Sequence, residues 1–195
     1  MDYIGLNDIT ECKRKIMEIV ELSRCNLNGI NKPNQPFEVI GRIKPTFVNG
    51  KWAYTEEMAE QSYVKEYPNE DCDYSSYIGN TDKTVFLAYT DGDCIGQIIL
   101  RKDWNKYAFV EDICVAKSSR GQGVGSALIQ KAIIWAKGRG LCGLALETQD
   151  DNLLACRFYS KCGFEIGAVN TMLYKNFNKP WSDEMAVLWY LKFNG

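Results

Sequence analysis

Tyr107-Ala-Phe-Val-Glu-Asp-Ile-Cys-Val-Ala-Lys-Ser-Ser-Arg-Gly-Gln-Gly-Val-Gly-Ser126 decides the fold. An apolar run, Tyr107 to Ala116, reads as a strand, and Leu128, Ile129, Ala132, Ile133 and Trp135 recur on one face of a following helix, roughly Val124 to Lys137. Between them, Gly121, Gly123 and Gly125 leave the backbone uncovered where the helix begins. Consecutive N–H groups there can reach an anion, and Arg120 adds a fixed positive charge, so the turn reads as a phosphate or pyrophosphate site.

Upstream, Thr84 to Tyr89 and Cys94 to Arg101 are further strands, joined by turns at Asp91-Gly92 and Asp103 to Lys106. Connections this short force an antiparallel meander. Downstream, Leu141 to Thr148 follows a helical crossover and is expected parallel to the strand ending at Ala116. A short helix over Asn152 to Cys162 and strands over Phe164 to Val169 and Glu184 to Phe193 complete the pattern. The fold class is α/β (α+β): a mixed sheet, antiparallel first and parallel at the glycine turn, with helices on both faces. Nearer the N-terminus, Ile9, Cys12, Ile16, Met17, Ile19, Val20 and Leu22 predict a helix from about Asn7 to Asn26. The stretch 28–36 reads as a linker, so residues 1–30 form a helical extension and 37–195 the domain. Phe37 to Phe47 and Lys51 to Thr55 flank Asn49-Gly50 as a hairpin.

Composition narrows the chemistry. The 195 residues, 46% of them hydrophobic, suit one domain with a sizeable core, and a net charge of −2 argues against a nucleic-acid partner. With neither an apolar run long enough to span a bilayer nor a signal peptide, no membrane partner and a cytoplasmic location are expected. The eight cysteines form no Cys-x-x-Cys and are expected reduced and largely buried, with no metal site. The chain contains no histidine, which removes imidazole bases and Ser-His or Cys-His nucleophiles. Carboxylates, Tyr, Lys, Cys and backbone groups remain.

The glycine turn has no Gly-Lys-Ser/Thr, and its glycines are spaced and placed wrongly for a dinucleotide fold. Arg120, Gly123 and Gly125 do fit Arg/Gln-x-x-Gly-x-Gly/Ala, and Asn152, Ala155, Phe158, Tyr159, Gly163 and Phe164 fit Asn-x-x-Ala-x-x-Phe-Tyr-x-x-x-Gly-Phe. In both patterns the chain resembles the GNAT superfamily of N-acetyltransferases. The resemblance implies acetyl-CoA as co-substrate, its pyrophosphate on the N–H groups of Gly121, Gln122, Gly123, Val124, Gly125 and Ser126, beside Arg120. It implies a pantetheine arm lying along Ile113, Cys114 and Val115 in a gap between the two central strands, with Asn152 and Ala155 close by. Tyr159 takes the family position that protonates the departing thiolate; its other reading is a core aromatic. Phe37-Glu-Val-Ile-Gly-Arg-Ile43, Arg101 to Ile113, Leu146-Glu-Thr-Gln-Asp150 and Thr171-Met-Leu-Tyr174 are similar to streptothricin acetyltransferases, which acetylate an amine on the β-lysine arm of that antibiotic. That likeness covers residues 37–193.

Acetyl transfer to an amine needs a base, because an alkyl ammonium with pKa near ~10.4 is free base in only about one molecule in a few thousand at pH 7. Glu111 is the first candidate, Asp112 the second and Glu147, on the neighbouring strand, the third. Alternation along a strand sends Glu111 and Asp112 to opposite faces. The segment 56–80, its first part expected helical, is acidic and aromatic; it reads either as a solvated loop or as a wall for a cationic substrate. Glu66, Asp73, Trp104, Glu111, Asp112 and Glu147 are the candidate substrate contacts, with Trp52, Tyr54 and Tyr74 as flat walls. The expected partner is a cationic small-molecule amine, bound by a monomer or homodimer. Acetylation of another amine (polyamine, aminoglycoside, protein lysine or N-terminus) and a non-catalytic acetyl-CoA-binding module are the competing functions.

Overall fold

Asn49-Gly50 and Asp91-Gly92 each place two successive residues at positive φ (52° and 77°; 53° and 86°), the turn that matches the twist of a two-residue hairpin. The first joins β2 (Phe37–Val48) to β3 (Lys51–Lys65), and the second joins β4 (Lys83–Thr90) to β5 (Asp93–Lys102). The computed structural model describes residues 16–69 and 71–193. The chain continues through β6 (Tyr107–Val115), α1 (Val124–Lys137), β7 (Gly143–Gln149), α2 (Leu153–Lys161), β8 (Glu165–Asn170) and β9 (Ala186–Lys192), preceded by β1 (Glu18–Glu21). One seven-stranded sheet runs β1-β4-β5-β6-β7-β9-β8, and β2 and β3 form a separate ribbon. The antiparallel meander and the parallel β6–β7 pair are as the sequence predicts.

The large sheet is covered on both faces, so its inner strands are apolar in both directions. Phe86, Ala88, Ile98 and Leu100 pack with Leu128, Ile129, Ala132 and Trp135 of α1, whereas Val85, Leu87 and Ile99 pack with Leu22 and Tyr77 on the other side. Gly96 is a place where only glycine fits: a Cβ there would meet Val124 Cγ1 at 2.9 Å, so its absence lets α1 approach β5.

Two expectations fail here. The predicted first helix lies partly outside the described residues, and within them Glu18–Glu21 is a strand, pairing antiparallel with β4 (Val20 opposite Leu87). Met17 and Ile19 join one core while Val20 and Leu22 join the other. A strand buried on both faces places apolar residues at successive positions, which one-dimensional spacing confuses with a helix. Nor do residues 28–36 behave as a linker: Asn31 N–H donates to Gln97 Oε1 at 2.7 Å, and Arg120 donates to the Gln35 and Pro36 carbonyls.

Residues 56–65, expected helical, instead extend β3, which pairs with β2 as far as Phe37 opposite Lys65. The ribbon docks on the β7–α2 connection through Ile43 N–H to the Asp150 carbonyl at 2.9 Å. Its end therefore delivers Lys65 and Tyr67 to the edge of the site. Lys65 is buried against two carboxylates, 3.1 Å from Asp151 and 2.7 Å from Glu184.

Candidate active site

β6 and β7 are paired only from Tyr107 opposite Gly143 to Val110 opposite Leu146. Beyond that point they part. β6 remains bonded to β5 and β7 to β9, so among the described residues no strand lies between the facing edges of 111–115 and 147–149. An extended chain with amides of its own can use such an edge as a further strand would. A cavity of about 360 Å³ opens in this notch, with Glu111, Asp112 and Ile113 on one wall and Glu147, Thr148 and Gln149 on the other. Asn152, Ala155 and Tyr159 close it from α2.

The glycine turn lies at the far end of β6. Gly121 and Gly123 have φ of 75° and 87°, and a Cβ on either would find nothing within 4 Å, so each serves the turn's conformation and leaves open space above it. Gly125 has another reason, since its Cβ would meet the Phe158 ring at 3.1 Å where α1 crosses α2. Val124 is buried and Ser126 exposed at the start of α1. Gln122 donates to the Ser118 carbonyl, and Arg120 donates to the carbonyls of Val115, Gln35 and Pro36. Arg120 thus braces the turn against β6 and residues 35–36.

Glu111 and Asp112 do not separate to opposite faces. Ile99 pairs with Asp112 but Leu100 with Val110, so Glu111 is the extra residue of a bulge, and both carboxylates line the cavity. Both Glu111 oxygens are engaged: Arg101 Nε lies 3.1 Å from Oε1, and the Tyr77 hydroxyl donates to Oε2 at 2.8 Å. Asp112 accepts from Gln97 Nε2 at 2.6 Å. Glu147 accepts from the Tyr174 hydroxyl at 2.6 Å. Burial raises the Glu147 pKa, opposed by that hydrogen bond.

Tyr159 is buried among Phe158, Phe164 and Trp189, with ring centroids 5.4 to 6.2 Å away, yet it also lines the cavity. Burial, reinforced by Asp112, pushes its phenol pKa up. Asn152 caps α2, its Oδ1 accepting from Ala155 N–H at 3.2 Å, while Nδ2 donates to the Tyr67 hydroxyl at 3.4 Å. The Cys114 thiol is pushed well up by burial and then by Asp112, which removes the thiolate a nucleophile would need. Cys25 and Cys142 are exposed, against the expectation of buried cysteines, whereas Cys94 and Cys156 are buried.

Three of the expected acceptor contacts lie elsewhere. Glu66 is exposed outside the lining, and Asp73 is spent accepting from Ser75 N–H at the start of a short 3-10 turn. Trp104 is 90% exposed on the β5–β6 turn, beyond the paired end of β6 and away from the notch. Trp52 and Tyr54 face a different cavity, of about 890 Å³, between the β2–β3 ribbon and β8. From the segment 56–80, Tyr67, Pro68, Asn69, Tyr74 and Tyr77 line the notch, and none of its described acidic residues does. Gln149 lines the cavity, and Tyr174, Gln97 and Arg101 hold its carboxylates; sequence reasoning singled out none of them. Tyr67 and Tyr77 had a signal in the aromatic spacing; the others reach the site across contacts no local pattern carries.

Comparison with known proteins agrees with this geometry. The family model described as acetyltransferase (GNAT) family matches residues 52–164. Streptothricin acetyltransferase A of Bacillus subtilis (strain 168) is 51% identical over 175 residues, covering 90% of this chain and 99% of that protein. A streptothricin acetyltransferase of Escherichia coli is 38% identical over 66% of this chain and 70% of its own length. A crystal structure from Bacillus anthracis str. Ames, of a protein described as a streptothricin acetyltransferase in complex with acetyl coenzyme A, superposes with a TM-score of 0.83 at 38% identity, covering 92% of this chain and 99% of that one. That of nourseothricin acetyltransferase gives 0.75 at 26% identity, over 90% and 98% of the two chains. The diverging strands, the glycine turn and these likenesses have one meaning: the chain belongs to the acetyltransferase (GNAT) family.

Proposed function

We propose that this protein transfers the acetyl group of acetyl-CoA to an amine of streptothricin, on its β-lysine arm, and so confers resistance to the antibiotic. The observation that carries the reading is the notch between β6 and β7, where an unpaired strand edge, a glycine turn and a carboxylate-lined cavity meet. Identity of 51% to a streptothricin acetyltransferase along most of the chain supports the acceptor. The residues present suit the donor. The uncovered N–H groups of 121–126 would take its pyrophosphate, and the free edge of Ile113–Val115 its amide-bearing arm. Acetyl-CoA, when bound, supplies an acyl group activated as a thioester.

The chain's own residues then divide the work. Glu147 takes a proton from the acceptor's ammonium, and the neutral amine that this leaves attacks the thioester carbonyl. Its burial makes it a stronger base than an exposed carboxylate, and Tyr174 holds one of its oxygens in place. Glu111, first by sequence, is already in an ion pair with Arg101, which suits it better to acceptor binding and to fixing the bulge. Asp112, held by Gln97, adds a second negative charge for a polycation. Tyr159 keeps its phenol proton at neutral pH and can give it to the departing sulfur. The acceptor is a small cationic amine; a single protein chain suffices to form the site described.

The test is acetyl-CoA consumption by the purified protein against streptothricin, spermidine, an aminoglycoside and a lysine peptide. Streptothricin is expected to give the highest kcat/KM, by at least about a hundredfold, the discrimination that two well-matched charge contacts supply. Turnover of the peptide alone would overturn the reading.

A further inference from the structure

We infer that Tyr67 and Gln149 are positioning residues that aim the Tyr174 hydroxyl at Glu147, through a one-way chain of hydrogen bonds that starts at the cap of α2. The inference rests on the reading of Glu147 as proton acceptor. Asn152 commits Oδ1 to the Ala155 N–H, which leaves Nδ2 to donate to the Tyr67 oxygen at 3.4 Å. Tyr67 has one proton, and it goes to Gln149 Oε1 at 2.5 Å. With its oxygen fixed, the Gln149 amide turns Nε2 to the Tyr174 oxygen at 3.2 Å. Tyr174, accepting there, directs its own proton to Glu147 Oε1 at 2.6 Å. Each link removes an alternative from the next.

The chain is anchored away from the reacting atoms. Tyr67 packs between Phe37 and Trp181, with ring centroids 5.1 and 6.2 Å distant, and Lys65 Nζ lies 5.5 Å from its ring. Lys65 in turn is clamped by Asp151 and Glu184. The end of the β2–β3 ribbon therefore fixes a hydroxyl whose consequence is felt at β7. The other charged or titratable groups facing this region are Glu111 and Asp112 across the notch, Tyr159 on α2 and Glu184 ahead of β9. None of them is altered in the variants below.

Without the Tyr67 hydroxyl, the Gln149 amide is free to turn its oxygen to Tyr174, which would then donate to Gln149 and leave Glu147 without that donor. The carboxylate loses support and takes a proton more readily. Tyr67→Phe, Gln149→Glu and Tyr174→Phe are compared with the wild type in two ways: the pH profile of kcat/KM with streptothricin, and a 13C NMR titration of the Glu147 carboxyl, assigned by its loss in Glu147→Gln. Tyr174→Phe and Tyr67→Phe are expected to move both midpoints up by about one pH unit, the scale of one charge-assisted hydrogen bond. Gln149→Glu moves them further, because a second carboxylate competes for the Tyr174 proton and repels Glu147. A merely structural role would lower the melting temperature and leave the midpoint still. Unmoved midpoints in Tyr67→Phe and Gln149→Glu, or a change confined to KM, overturn the inference. Inactivity of the wild type on streptothricin together with a shifted carboxyl titration would overturn the assigned acceptor and uphold the relay.

Discussion

At the scale of single residues, Glu147 shows how burial and one hydrogen bond together set the proton affinity of a carboxylate. Its burial raises the pKa, and the Tyr174 hydrogen bond limits the rise. The folded chain therefore holds a proton that the unfolded chain releases, over the window from the ordinary glutamate value up to the raised one. More protons bound in the folded state means that stability falls as pH rises through that window. Glu147→Gln keeps an acceptor for Tyr174 and removes the buried charge. The variant should match the wild type's melting temperature near pH 4, exceed it at pH 8, and lose acetyl transfer by at least about a hundredfold, the usual contribution of a positioned base. A wild type that melts higher at pH 8 would remove the argument from burial. Of this, the sequence carried the carboxylate and its strand and ranked it third, where our proposal puts it first. Glu111 came first because strict alternation was assumed along β6, and the bulge opposite Leu100 suspends alternation at that residue. The ion pair with Arg101 and the bond from Tyr77 are tertiary facts, with Tyr77 34 residues away along the chain.

At the scale of elements, the glycine turn combines two devices that the sequence could not tell apart. Gly123 holds a left-handed φ with open space above it, and Gly125 lies against Phe158. Gly123→Ala should cost about 1 to 2 kcal/mol of backbone strain and put a methyl where the proposed function seats the donor's phosphates. Gly125→Ala presses on the ring that neighbours Tyr159, so it should act first on helix packing. Calorimetric titration with acetyl-CoA and thermal melts separate them. Affinity should fall at least about tenfold in Gly123→Ala, equal to about 1.4 kcal/mol, with the larger melting shift in Gly125→Ala. The reverse ranking would mean that the phosphates do not rest over Gly123. Strands β4 to β7 and α1 were legible to within about two residues, because the Asp91-Gly92 turn, the glycine turn and the stop at Gly138 mark several of their ends. β3 was legible only to Thr55. Beyond it the acidic segment was expected to begin as a helix, and the strand instead persists to Lys65 because β2 supplies partners.

At the scale of the whole molecule, the large sheet begins earlier in the chain than the composition of residues 28–36 suggests. Asn, Gly and Pro make linkers, and they equally make a tight packed connection; only tertiary contacts separate the two. Here Gly29 is so close to Tyr89 that a Cβ would meet its hydroxyl oxygen at 2.2 Å, and Asn31 shares hydrogen bonds with the buried Gln97, which also holds Asp112. β1 covers the edge of β4, and Leu22 N–H donates to the Val85 carbonyl at 2.9 Å while its side chain covers Val85 and Leu87. We propose that the folding unit therefore includes residues from at least Glu18. Deleting residues 1–30 should bare a strand of Val85, Phe86 and Leu87 with unpaired backbone groups, the kind of edge that recruits other chains. Size-exclusion chromatography is expected to show aggregated or insoluble protein, and acetyl transfer per milligram should collapse with it. A truncated chain that stays monodisperse and fully active would return the boundary to Phe37 and make β1 an appendage. The same experiment weighs β1 against the ribbon as supports of the notch: β1 acts through β4, β5 and Gln97 on the Asp112 wall, whereas the ribbon acts through Tyr67 on the Glu147 wall. A soluble truncation with normal acetyl-CoA affinity but a raised KM for the amine would locate the contribution of β1 on the Asp112 side alone.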